Sequence, residues 1–529
     1  MLEMKKLEHL LTQGKITRRE FLARASALGF TAAMFPALLT TPARAATPKK
    51  GGRLRMGVSG GSATETLDPA TMTNCMTQVV NWEIRNSLFE VDCDSNLIPE
   101  LAESWECTRN AKKWTFKLRR GVEFHNGKTM DAQDVVFSIN HHRGEGSKSA
   151  AKPFVGQIEE IKAEDKYTVV LTLKGGNADF AYLLSAFHLL IVPNDTTSFD
   201  KGIGSGAYIL QEWVPGVRAL AKRNPNYWKE GRAHFDEVET LGIADVNARI
   251  NALTTGRIDV TSRIDPKSVH LLEKTPGIQL IETHGKSHQT IPMLTDIPPF
   301  DNNDVRLALK HAIDREHMVK MIFRGRAKVG NDHPIAPGVY RYSASELPQT
   351  VYDPDKARYY MKKAGLKDHT FKLHAAQTPF VGAVDMALLY KEHAAKAGIQ
   401  IEVVREPDDG YWSQVWMKKA WAFCFWFGRA TEDWMFSEVY ADDGPWNETH
   451  WKHERFNKLL KEARAELDEA KRREMYVEMQ SILRDEGGVI IPTFSSNLDA
   501  ATTKLRYEKV AANFELDGYR LPERWWFES

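Results

Sequence analysis

Four cysteines in 529 residues are too few for a disulfide-built scaffold. No two of Cys75, Cys93, Cys107 and Cys424 form a C-x-x-C pair, so neither a thioredoxin-like motif nor a zinc ribbon is encoded. The zinc-protease helix pattern H-E-x-x-H is absent, and so is the phosphate-cradling G-x-x-x-x-G-K-[ST]. Gly204-Ser205-Gly206 has the wrong spacing for a nucleophile elbow, and the glycine-rich 57–61 stretch lacks dinucleotide-binding spacing. Lysine plus arginine (71) and aspartate plus glutamate (70) nearly cancel, which argues against a nucleic-acid partner. Beyond residue 45 no apolar run is long enough to span a bilayer. Internal repeats, low-complexity runs and long flexible linkers are missing too. Chemistry that leaves local traces is thus not encoded here: no enzyme, cofactor or metal is expected.

What is present starts at the N-terminus. Thr17-Arg18-Arg19-Glu20-Phe21-Leu22 places paired arginines directly before Phe-Leu, and an apolar run from Ala25 to Leu39 follows. Ala43-Arg44-Ala45 is a small-x-small site suited to cleavage before Ala46. This pattern reads as a twin-arginine export signal over residues 1–45, and the run is too short for a membrane span. The remaining chain, about 480 residues long, is expected to work in the periplasm and to form two or three domains. The periplasm permits disulfides. Cys93 and Cys107 either face each other across a hairpin or are two separate thiols.

Strands and helices interleave along the chain, which predicts an α/β fold. Residues 51–58, Trp114 to Arg119 and Tyr167 to Leu173 alternate as half-buried strands do. A short helix is expected over Gln78 to Leu88, and others over Asn247 to Thr255 and Asp304 to Ile313. Asp131 with Asp134 three residues on is a helix N-cap pattern, and Asp353-Pro354 is an N-cap with proline at the first helical position. Glu454 to Leu483 is amphipathic and long enough for two helices, and Val489-Ile490-Ile491-Pro492 reads as a strand. His450 and His453 sit at i, i+3, a spacing that would stack two imidazoles on a helix turn. His141-His142 reads as solvated surface.

Several segments, in order, resemble one family. Leu101-Ala102-Glu103-Ser104-Trp105-Glu106 runs on through Trp114-Thr115-Phe116-Lys117-Leu118-Arg119-Arg120-Gly121-Val122-Glu123-Phe124-His125-Asn126-Gly127-Lys128. Leu67-Asp68-Pro69, Gly204-Ser205-Gly206-Ala207-Tyr208 and Arg223-Asn224-Pro225-Asn226-Tyr227-Trp228 also match, as do Asp304-Val305-Arg306-Leu307-Ala308-Leu309 and Tyr352-Asp353-Pro354-Asp355-Lys356-Ala357. They are similar to the family 5 extracytoplasmic solute-binding proteins of ABC importers. The resemblance implies a periplasmic-binding-protein-like α/β fold, with two lobes joined by a hinge plus an extra domain, three domains in all with the first one discontinuous. Lobe I is expected from 46–83, 206–288 and 506–529, the extra domain from 84–205, and lobe II from 289–505.

The same resemblance implies a monomer that hands a small-molecule or peptide solute to ABC permease membrane subunits. Peptide-binding members keep an Asp after a Trp-rich strand for the peptide amine, and here Gly428 or Arg429 stands at that position. Arg429 offers a planar fork to a carboxylate or phosphate, and Asp433 offers an acceptor to an amine or hydroxyl. Trp412 and Trp426 belong to a stretch of unusual aromatic density, suited to stacking on a ring or a cationic group. Thr73, Asn74 and Cys75 follow the Leu67-Asp68-Pro69 loop where the first lobe meets ligand, and His333 and Ser496 complete the candidate site. The expected ligand is a short peptide or a small amino-acid-derived solute. An anionic solute such as an opine or sugar conjugate is the alternative, and a periplasmic enzyme or a metal or haem carrier is the alternative of another class.

Overall fold

The computed structural model describes residues 48–528 apart from 61, 73, 367, 368, 381 and 409. The paired-arginine segment and Thr73 lie outside the described residues. Caps form where the sequence places them. Asp131 and Asp134 make a reciprocal capping box on the helix Ala132–His141, and Asp353 accepts from the Lys356 N–H at the start of Pro354–Lys363. The long amphipathic stretch breaks into Glu454–Ala465 and Glu469–Glu486, the second capped by Asp468. The expected helix at Gln78 starts earlier and runs over Cys75–Ile84, because Asn74 caps it.

A nine-stranded mixed sheet organises the chain. Its order is Cys424–Trp426, Ile278–Pro292, Val489–Thr502, Val260–Thr261, Arg53–Val58, Glu237–Gly242, Arg218–Arg223 and Tyr208–Val214, with Ala327–Val329 paired onto Val489–Thr502. Arg53–Val58 is parallel to both its neighbours. A separate four-stranded antiparallel sheet, Ala102–Cys107, Lys113–Leu118, Thr168–Leu173 and Ile158–Asp165, carries its own core. Trp114, Phe116, Val169, Leu171 and Leu173 are buried there, the face that the alternation predicts.

The structure differs most from local expectation at the strand after Gly488. It runs fourteen residues, Val489–Thr502, instead of stopping at Pro492. It pairs antiparallel with the fifteen-residue Ile278–Pro292, from Ile278 opposite Thr502 to Pro292 opposite Val489. This pair passes from one apolar core to another. Ile281 and Ala501 pack with Met56, Tyr208 and Trp525. Further along, Ile291 and Ile490 pack with Leu309, Tyr390 and Trp421, while Ile491 and Phe494 pack with Phe436 and Tyr476. Between the two regions the register shifts, from His284 to His288.

All four cysteines are free. Cys93 lies in the turn between the paired strands Phe89–Val91 and Leu97–Pro99, whereas Cys107 ends a strand of the four-stranded sheet opposite Trp114, so the hairpin alternative does not hold. His142 corrects the surface reading of His141-His142. It is 1% exposed, bonded to the Ser149 hydroxyl, and held down to about 3 chiefly by burial. His450 and His453 do not stack on one helix turn: His450 has a left-handed backbone outside any helix and His453 caps the helix that begins at Glu454. Among the described residues no helix is long and apolar enough to cross a membrane.

Candidate functional site

Two adjoining cavities, about 250 and about 810 Å³, lie where the long strand pair passes between cores. Arg263, Lys286, Phe427, Gly428, Phe514 and Tyr519 line both. Arg263 follows the strand Val260–Thr261, Lys286 sits in the register shift of Ile278–Pro292, and Phe427 and Gly428 follow Cys424–Trp426. Arg263 and Tyr519 hold left-handed backbones, φ 54° and 64°. Such strain in non-glycine residues persists only where the surroundings impose it, and it clusters at ligand clamps.

Arg429 lines the smaller cavity, but its charge is already answered. Its Nε donates to Glu438, Nη1 donates to the Phe427 carbonyl at 2.9 Å, and the guanidinium lies 5.3, 5.6 and 6.0 Å from the rings of Trp426, Trp434 and Trp446. Trp426, offered to a ligand by the sequence, thus helps to cage a side chain of the protein itself, and Trp412 is not part of that cage. The other arginines at this cavity are also paired: Arg263 with Glu515 at 2.9 Å, Arg520 with Glu100 at 2.8 Å and Arg524 with Asp517 at 2.9 Å.

Lys286 differs. It is 6% exposed. Its Nζ donates to the carbonyls of Ala430 (3.0 Å) and Arg429 (3.3 Å) and lies 4.0 Å from the centre of the Tyr340 ring. Among the described residues no carboxylate forms an ion pair with it. Burial pushes its ammonium down to about 8, opposed only by the more distant charge of Glu432.

The remaining candidates scatter. Asn74 lines the smaller cavity, with its side chain committed to the Thr77 N–H and to Glu65. Ser496 lines the larger one and bonds His284. Cys75 is buried at the start of its helix, where burial and the charge of Glu515 raise its thiol. Asp433 is buried against Arg464, at 3.0 Å. His333 is buried and held down to about 4 by the same desolvation. Trp412 is 40% exposed and packs edge-on against Trp416. None of Cys75, His333, Trp412, Trp426 and Asp433 lines either cavity. Lys286, Arg263 and Tyr519 carry no local signal that singles them out in the sequence.

Two catalytic or metal alternatives meet physical obstacles. Gly57-Val58-Ser59-Gly60-Gly61 has nucleophile-elbow spacing, and Ser59 lines the larger cavity. A nucleophile elbow requires a helix directly after its strand, and here the next helix starts only at Cys75. Asp314, His317 and His393 converge as a metal set would. The Asp314 N–H donates to His393 Nδ1 at 3.2 Å, which leaves the proton of the neutral ring on Nε2 facing His317 Nδ1 at 2.8 Å. A metal at Nε2 would force that proton to Nδ1, against the backbone N–H.

The family described as bacterial extracellular solute-binding proteins, family 5 Middle, matches residues 96–448. A glutathione-binding protein, GsiB, of Escherichia coli O6:K15:H31 (strain 536 / UPEC) is 31% identical over 314 residues, 58% of this chain and 61% of that protein. The chain thus spans about three-fifths of the length of the curated relatives it matches. Among solved structures, the periplasmic binding protein DppA from Helicobacter pylori in complex with the peptide STSA superposes with a TM-score of 0.75 at 23% identity, covering 91% of this chain and 99% of that one. The binding protein AgaA from A. tumefacien R10, in complex with agropinic acid, gives a TM-score of 0.75 at 23% identity, covering 90% and 99%. These two likenesses show a periplasmic-binding-protein fold.

Proposed function

This chain belongs to the family 5 bacterial extracellular solute-binding proteins, and we propose that it is the periplasmic solute-binding component of an ABC importer, taking a short peptide or a small amino-acid-derived solute. The observation that carries this reading is the pair of joined cavities at the long strand pair, lined from residues near 263 and 514–519 as well as from 427–429. Two such strands form a natural hinge, and closure of two lobes about it would be the event a permease reads. No step of chemistry is needed for that role. The glutathione and peptide relatives support the solute class. An anionic non-peptide solute is the second reading, favoured by the buried Lys286 ammonium, which bonds only carbonyl oxygens among the described residues, and by the agropinic acid complex.

Purified protein should be stabilised by a member of a panel containing glutathione, tri- to pentapeptides and agropinic acid. A ligand at a hundred times its Kd adds roughly 2.7 kcal/mol to the native state. Its radius of gyration by X-ray scattering should fall at saturation. Stabilisation with an unchanged scattering curve would remove the clamp, and product formation would replace the binder with an enzyme. Delivery to the periplasm in this reading depends on Arg18 and Arg19. Replacing both by lysine should leave precursor in the cytoplasm, and normal periplasmic accumulation of that variant would overturn the export route.

A further inference from the structure

Lys286 is the unusual group at this site. Arg263, Arg429, Arg520 and Arg524 each arrive at the smaller cavity with a carboxylate in contact. Lys286 arrives with two carbonyl oxygens and an aromatic face, all of which leave its positive charge in place. A buried ammonium without a counter-ion is costly, and such a group persists where something else completes it. Its position suits a ligand. It lines both cavities, so one oxyanion there would be reached from either. Gly428 holds its neighbouring segment so close that a Cβ would fall 1.8 Å from the Lys286 Cβ, which pins the base of the side chain.

We propose that the Lys286 ammonium is the anchor for an oxyanion of the solute, in a peptide its carboxylate, and that this contact selects acidic over neutral solutes. The inference rests on the solute-binding reading above. It also relocates the anionic contact from Arg429, whose guanidinium Glu438 already neutralises, to a residue 143 positions earlier in the chain.

The position has a pH signature. The groups facing Lys286 are Glu432, the phenol of Tyr340, the Arg429–Glu438 pair and His288, whose Nδ1–H donates to the Lys286 carbonyl. His288 is held down to about 4 and burial raises the Tyr340 phenol, so neither changes charge near pH 8. Lys286 does, since its ammonium is depressed to about 8. An anion bound beside it favours the protonated form and raises that value. Binding should therefore take up a proton near pH 8, and affinity should fall as pH rises through 8 and beyond.

The test compares wild type, Lys286→Gln, Lys286→Met and Lys286→Arg by calorimetry at pH 6.5 and pH 9. The probes are free-acid tri- to pentapeptides, their C-terminal amides, glutathione and agropinic acid. Circular dichroism and thermal unfolding check folding, and two neutral replacements guard against one that misfolds. Wild type should prefer free acids to amides by about ten- to a hundredfold, the size expected for a charge-assisted hydrogen bond. Gln and Met should abolish that preference and the pH dependence, and Arg should retain part of it. Peptides that bind equally as acids and amides, or equally to Lys286→Gln, overturn the anchor and leave the solute-binding reading intact. Binding of agropinic acid alone, lost in Lys286→Gln, upholds the anchor and replaces the peptide reading with the non-peptide one. No binding of any probe to wild type overturns both.

Discussion

Glu100→Ala should lower the stability of the protein by about 3–5 kcal/mol, the cost of leaving buried cations without their partner. Glu100 is fully buried and its two oxygens are saturated. Oε1 accepts from Asn86 (2.9 Å), Lys229 (2.6 Å) and Arg520 (2.8 Å), and Oε2 accepts from Ser87 and, again at 2.8 Å, from Arg520. The Arg520 guanidinium also stacks 3.9 Å from the Trp82 ring and pairs with Glu523. Lys229 bridges Glu90 and Glu523 as well. This network ties residues 86–100, Lys229 and the segment 517–524 together, and Arg520 is itself part of the cavity wall. Removing one carboxylate therefore affects three stretches of chain and the site at once. Glu100→Gln keeps the shape and loses the charge, so it should lie between wild type and alanine. Denaturant unfolding checks this, and a change of less than about 1 kcal/mol for Glu100→Ala would mean the remaining acids re-satisfy Arg520 and Lys229.

Gly428→Ala should be the most damaging single-methyl change at the site. The added Cβ would stand 1.8 Å from the Lys286 Cβ and 3.0 Å from its Cα. Those atoms belong to the backbone and the root of a side chain, so no rotamer change relieves the contact. The strand Cys424–Trp426, which pairs with Thr290 to His288 just before this point, would have to separate from its neighbour. Overpacking of this kind costs about 1–3 kcal/mol, and here it also displaces the Lys286 ammonium. We expect a lower unfolding midpoint and loss of at least about tenfold in affinity for whichever probe the wild type binds. Adding Lys286→Gly should restore part of the stability by removing the opposing Cβ, without restoring acid selectivity. A double variant no more stable than Gly428→Ala alone would show that the clash lies elsewhere.

What the sequence by itself determined is local. Caps at Asp131 and Asp353, the alternating faces of the four-stranded sheet and the split of the amphipathic 454–483 stretch follow from side chains within a few residues of one another. The string of family motifs also sufficed for the fold, because turn glycines and core aromatics recur in a fixed order. The tertiary structure alone decided which charges meet. Arg429 looks free in sequence and is caged by three tryptophans and Glu438, whereas Lys286, ordinary in sequence, ends up buried beside carbonyls with no acid among the described residues in contact. The strand from Val489 continues past Pro492 because partners from Ile278–Pro292, Ala327–Val329 and Val260–Thr261 lie alongside. The physical reason is common to these cases. Propensity and capping act over one helical turn or one strand pair. Desolvation and ion pairing depend on distances through space, and the 143 positions between Lys286 and Arg429 are closed only by folding.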